Sequence, residues 1–66
     1  MEAYQVRVLA EQIELDEKLQ KLEAFVNVAV IFGKLPEEEQ ERLKRQLSYM
    51  KEYNAVLRER IEAFLK

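Results

Sequence analysis

Gly33-Lys34-Leu35-Pro36-Glu37-Glu38-Glu39 divides a chain of 66 residues near its middle. Gly33 is its only glycine and Pro36 its only proline. Glycine after a helical stretch is the usual way to enter a left-handed position, and proline fits the first turn of a new helix. Three glutamates after the proline then suit the positive end of that helix's dipole. The run therefore predicts the stop of one helix and the start of another.

On either side of it apolar residues recur in alternating steps of four and three. Before the break they are Val8, Leu15, Leu19, Leu22 and Val26, with Gln12 inserted at a stripe position. After it they are Leu43, Leu47, Met50, Leu57, Ile61 and Phe64, with Asn54 inserted in the same way. That rhythm is the seam of helices packed side by side. An amide at a seam position lowers stability and specifies register or partner number, so Gln12 and Asn54 point to a defined assembly. The prediction is a single all-α domain over residues 1–66. It has a helix over about 3–27, an irregular turn over about 28–35 and a helix over about 36–65. Helix 1 has no strong cap in the sequence, since only Met1 and Glu2 precede it. Helices of about 36–45 Å joined so briefly form an antiparallel two-helix hairpin.

Size and composition then ask for more than one chain. A domain this short draws only about 3–5 kcal/mol from its own core. There is no Cys to form a disulfide and no His to help bind zinc. Self-association remains, and the chain is expected to build a homo-oligomeric helical bundle, a tetramer in preference to a dimer. A second set of apolar residues, Val6, Leu9 and Ile13 with Tyr49, Tyr53 and Val56, lies off the seam toward one end and reads as the face another copy covers. Val28 to Phe32, read Val-Ala-Val-Ile-Phe, is expected to pack under the turn or against a second subunit. This is the longest apolar run, too short for a membrane span, and no membrane partner is expected.

The formal net charge is −2, with acids and bases interleaved, which argues against a DNA-coating protein. Catalysis has little to work with: Ser48 is the only hydroxyl besides the tyrosines, and no histidine or cysteine accompanies it. The chain is expected not to be an enzyme and to need no cofactor. Glu11 and Glu14 share a helix face, but the Glu-x-x-His element of carboxylate-bridged metal bundles is absent, so no metal is expected. Two lines remain, Tyr4, Arg7, Glu11, Glu14 and Lys18 on helix 1, and Gln46, Tyr49, Tyr53, Val56 and Arg60 on helix 2. Flat aromatic faces, guanidinium forks and carboxylates are the parts that stack a base, hold a phosphate and read a base edge. Tyrosine and arginine are equally the residues of protein interfaces.

The patterns Tyr-Gln-x-Arg-Val-x-x-Glu from Tyr4, Glu-Leu-Asp-Glu-Lys-Leu-x-Lys-Leu-Glu-Ala-Phe from Glu14, Leu-Pro-Glu-Glu-Glu-Gln-Glu-Arg-Leu-x-x-Gln from Leu35 and Met-x-x-Tyr-x-x-Val-Leu-x-x-Arg-Ile-x-x-Phe from Met50 carry a resemblance. Together they resemble very small phage-encoded helical proteins related to a crAss-like phage. That group overlaps the phage anti-CBASS sponges, homo-oligomers that sequester cyclic nucleotide signals. The resemblance spans nearly the whole chain and implies a sponge for cyclic dinucleotides in the host bacterial cytoplasm. It implies a ligand site of Tyr4, Arg7, Glu11, Lys18, Gln46, Tyr53 and Arg60. Arg7, Lys18 and Arg60 would hold phosphates, Tyr4 and Tyr53 would stack bases, and Glu11 and Gln46 would read base edges or orient the arginines. The chain departs from the group's pattern at Val26 to Phe32, where a polar connection would be usual. The alternative is a small dimeric bundle serving as an adaptor or an RNA-binding regulator. Its basic residues Arg42, Lys44, Arg45, Lys51 and Arg58 are interleaved with glutamates, which favours ion-paired solvated faces.

Overall fold

The computed structural model describes residues 1–66 as three helices and no strand: α1 (Ala3–Val26), α2 (Ala29–Phe32) and α3 (Glu37–Leu65). No helix is long and apolar enough to cross a membrane. The molecule is a rod of 46 × 15 × 15 Å. Contacts between α1 and α3 run in opposite sequence order. Tyr4 meets Phe64, Gln12 meets Asn54, and Glu23 meets Lys51, so the two long helices lie antiparallel.

Every seam residue is buried or half-buried, whereas most of their neighbours are exposed. Yet the core is thin. Only four of 66 residues are buried, namely Val8, Phe32, Asn54 and Leu57. Burial of apolar area is the main favourable term in folding, and this chain by itself buries little of it.

The seam amides resolve within the chain. Gln12 Nε2 donates to Asn54 Oδ1 at 3.1 Å, and Asn54 Nδ2 donates to Asp16 Oδ1 at 3.3 Å. Asp16 also accepts from Arg58 at 3.3 Å and from Gln20 Nε2 at 2.7 Å. No buried side-chain polar atom lacks a partner. Gln12 and Asn54 thus set the register of α1 on α3, the assembly that the sequence assigned them to being the chain's own pair of helices.

The start of α1 is better capped than the sequence indicates, because Gln5 Oε1 accepts the Glu2 backbone N–H at 2.8 Å, one half of a capping box. The connection also differs from an irregular turn. It contains one helical turn, α2, because Phe32 has a place to go: its ring meets Phe25 edge-on at 6.1 Å, with Lys44 Nζ 5.9 Å from its centroid. Val28, Val30 and Ile31 stay 44%, 72% and 53% exposed. Of the two placements open to this run, Phe32 alone takes the one under the turn. Gln40 closes the connection from α3, donating to the Leu35 carbonyl at 2.9 Å and to that of Gly33 at 3.4 Å.

Gly33 is not left-handed. Its φ is −66°, and no residue has a positive φ. Glycine is needed for closeness instead, since a Cβ there would lie 2.7 Å from the Ala29 carbonyl oxygen. That oxygen accepts the Gly33 N–H at 2.9 Å and cannot retreat without losing the bond. Pro36 likewise sits one place earlier than expected, as the N-cap of α3 at φ −55° and ψ 145°, with Glu37, Glu38 and Glu39 forming the first turn.

Two outcomes follow for stability. Asn54→Leu leaves Gln12 and Asp16 without their shared partner and lowers unfolding stability by about 1–2 kcal/mol in urea melts followed by circular dichroism; Gln12→Leu added to it recovers most of the loss. Gly33→Ala, normally favourable in a helical turn, instead costs about 1 kcal/mol or more because of the clash, read as a lower melting temperature at fixed protein concentration.

Candidate functional site

The two edges of the α1–α3 seam are chemically different. One is closed by cross-helix ion pairs, Arg58 to Asp16 at 3.3 Å and Lys51 to Glu23 at 2.8 Å. Each residue turns about 100° around a helix axis, so the phase of these four marks their side of each helix. Tyr4, Arg7, Glu11, Glu14 and Lys18 fall on the other side of the α1 seam, and Gln46, Tyr49, Tyr53 and Arg60 on the other side of the α3 seam. In an antiparallel pair these flanks border the same edge, and the edge-on contact of Tyr4 with Phe64, 6.4 Å between centroids at 81°, lies along it.

This second edge is open. No hydrogen bond or ion pair crosses it, in contrast to the closed edge. Arg7, Lys18, Arg45 and Arg60 all lack an acidic partner, whereas Arg42, Lys44, Lys51 and Arg58 each have one at 2.8–3.8 Å. Unpaired guanidinium groups keep all five donors for an incoming anion. Tyr4 and Tyr53 are 50% and 46% exposed, so a ring face remains open on each.

All seven residues that the resemblance marks border this edge, but one chain does not gather them at a point. At about 1.5 Å per residue, Gln46 and Arg60 are about 21 Å apart along α3. Tyr4, Arg7 and Arg60 lie toward the end where Phe64 packs. Lys18, Gln46 and Tyr53 lie toward the middle and the connection, with Glu11 between the two groups. Gln46 and Tyr53, but not Lys18, line a shallow groove of about 520 Å³ on α3 together with Arg42, Arg45, Tyr49 and Met50. A second depression of about 620 Å³ continues from it along α3 past Ser48 and Glu41.

Arg45 and Met50 are groove residues that sequence reasoning passed over. Arg45 belongs by spacing to the basic residues interleaved with glutamates, yet it has no ion pair, and it stands one turn before Tyr49, the spacing at which two side chains share a face. Met50 was assigned to the seam alone, though its flexible thioether also borders the groove, where Gln46 Nε2 approaches its sulfur at 3.8 Å. The six off-seam apolar residues also separate. Val6, Leu9 and Ile13 fall toward the outer and ion-paired side of α1, while Tyr49, Tyr53 and Val56 border the open edge. They form two patches rather than one second stripe.

Such an arrangement can hold an anionic, flat-ringed ligand by equilibrium binding. A model of the family described as Sequestin matches residues 2–63. No curated protein and no solved structure matches the chain. The family's name denotes sequestration, the holding of a ligand, which fits a small sponge-like protein. With a match that omits only the first residue and the last three, this helical chain belongs to the Sequestin family.

Proposed function

We propose that this protein is a phage-encoded immune-evasion sponge that binds cyclic dinucleotides and holds them without cleaving them. The observation that carries the reading is the open edge, where unpaired Arg7, Lys18 and Arg60 share a flank with exposed Tyr4 and Tyr53 beside a groove lined by Arg45, Gln46 and Tyr49. A cyclic dinucleotide presents two phosphates and two bases in one compact ring. Arg7, Lys18 and Arg60 supply phosphate donors, Tyr4 and Tyr53 stacking faces, and Glu11 and Gln46 acceptors and donors for base edges.

A sponge needs affinity and no turnover, so the lack of a histidine, a cysteine or a paired nucleophile is no handicap. Hydrogen bonds to charged groups contribute roughly 1.5–3 kcal/mol each, and nanomolar affinity is about 12 kcal/mol, so several phosphate contacts plus stacking suffice once ordering losses are met. The separation of the two residue groups supports pockets completed between copies of a helical hairpin. A homotetramer is the assembly we assign, since a chain with four buried residues has most of its apolar surface still to cover. The protein then acts in the host bacterial cytoplasm, where the signal is made.

Purified protein is expected to show a rise in melting temperature with at least one member of a cyclic dinucleotide panel, and heat denaturation should release that ligand intact. No shift with any member would refute the reading, and recovery of linear nucleotide would make the protein a hydrolase. Strong RNA retention on filters, falling steeply with salt, would instead favour the RNA-binding alternative.

Arg60→Ala is expected to weaken ligand affinity by about tenfold or more, in line with the loss of one charge-assisted hydrogen bond. Molar mass by light scattering should be unchanged. A variant that dissociates would assign Arg60 to assembly instead.

A further inference from the structure

The faces that α1 and α3 turn away from each other are unlike. Along the outside of α3, opposite its seam, run Glu41, Arg45, Ser48, Glu52, Ala55, Glu59 and Glu62, all exposed and all but Ala55 polar. Along the outside of α1, in the same steps of three and four, run Ala3, Val6, Ala10 and Ile13, continued by Glu17, Gln20 and Ala24, and all are exposed. Val6 and Ile13 are 53% and 58% exposed. A helix apolar on one stripe belongs at a surface, whereas one apolar on two opposite stripes belongs between two layers. Alanine alternating with a branched residue is also the pattern that lets a second helix approach closely, small against large.

We infer that the outer face of α1 is where two copies of this chain meet, the two α1 helices antiparallel, with Ala10 of each copy against Ile13 of the other. Charge selects this register. Arg7 and Glu14 flank the stripe on one side, seven residues apart, and neither has an ion-pair partner within the chain. Pairing Ala10 with Ile13 brings Arg7 of each copy beside Glu14 of the other, twice over by the two-fold symmetry of an isologous contact. Sliding one copy by a heptad sets Arg7 against Lys21 or against Arg7 itself. A parallel pairing sets Glu17 against Glu17 at the centre of the contact. In the chosen register Ala3 lies opposite Gln20 and Val6 opposite Glu17 of the second copy, so the Ala10–Ile13 pairs are its apolar centre, and the polar outer face of α3 stays in water.

The inference gives Arg7 to this contact in place of the phosphate role proposed above, and its test needs no ligand. The chain has no cysteine, so single cysteines report cleanly. Ala3→Cys co-expressed with Gln20→Cys is expected to give a mixed dimer with a short thiol crosslinker, and Ala3→Cys alone none. Self-crosslinking of Ala3→Cys would overturn the antiparallel register, and no crosslink in either sample would overturn the contact. Ile13→Glu should lower the molar mass by half or more while circular dichroism retains the helices; Ala55→Glu, on the outside of α3, should leave the mass unchanged. Arg7→Glu should also lower the mass, and Arg7→Glu with Glu14→Arg should restore it. An Ile13→Glu protein of unchanged mass, or a charge swap that does not restore assembly, would overturn the proposal. If Ile13→Glu loses its helices, the crosslinks decide.

Discussion

Everything in this molecule depends on one polar junction in an apolar seam, the chain Gln12, Asn54, Asp16, Arg58 that ties α1 to α3. Leucines and valines at heptad spacing tolerate a slide of one helix along the other, because each knob meets a similar hole one turn on. Asn54 does not. It is 7% exposed, and a slip of one turn, about 5.4 Å, takes both its partners away and leaves a buried amide unsatisfied. The junction therefore converts an interchangeable contact into a single register. Since the same register decides which side chains line the two edges, it also decides where the unpaired cations stand.

The seam was legible in the sequence because its period is set by helix geometry and every position obeys it, down to the two amides. The short helix at Ala29–Phe32 was not, because four residues carry no period; what forms it is the place Phe32 finds against Phe25. Gly33 was legible as a break and misread in its cause, since a sequence does not display the distance between a Cβ and a carbonyl four residues back. The candidate site followed the same division. Stepping by three and four identified Tyr4, Arg7, Glu11, Lys18, Gln46, Tyr53 and Arg60 as members of two lines. Period gives the phase of a residue on its own helix but not which flank of one helix adjoins which flank of the other. That takes the antiparallel sense and the hand of the helix, and these separate Val6 and Ile13 from Tyr49 and Val56.

The two long helices do different work. α3 is polar on its outside and needs only one partner, so it can serve as the wall that faces water and carries the groove. α1 offers apolar side chains to both sides, with Ala3, Val6, Ala10 and Ile13 outward, and this is the ground for the contact inferred above. The ion pairs at Asp16 and Glu23 close one edge, and that closure is chemically inexpensive to a binding protein because the acids used there are withdrawn from the other edge. The open margin then carries Arg7, Lys18 and Arg60 against Glu11 and Glu14, a slight cationic excess in a chain that is acidic as a whole.

The antiparallel contact between the first and last stretches has a consequence for synthesis. The partners of Gln12 and Asp16 lie 38 to 42 residues further along the chain, so α1 leaves the ribosome before the residues that will cover its seam exist. During that interval it is a helix with two uncovered apolar faces and no local partner for either. On a message read by several ribosomes, neighbouring nascent α1 segments are the nearest complementary surfaces available. If two copies meet through α1 as inferred above, their contact can begin to form during translation, before each α3 arrives to cover the seam.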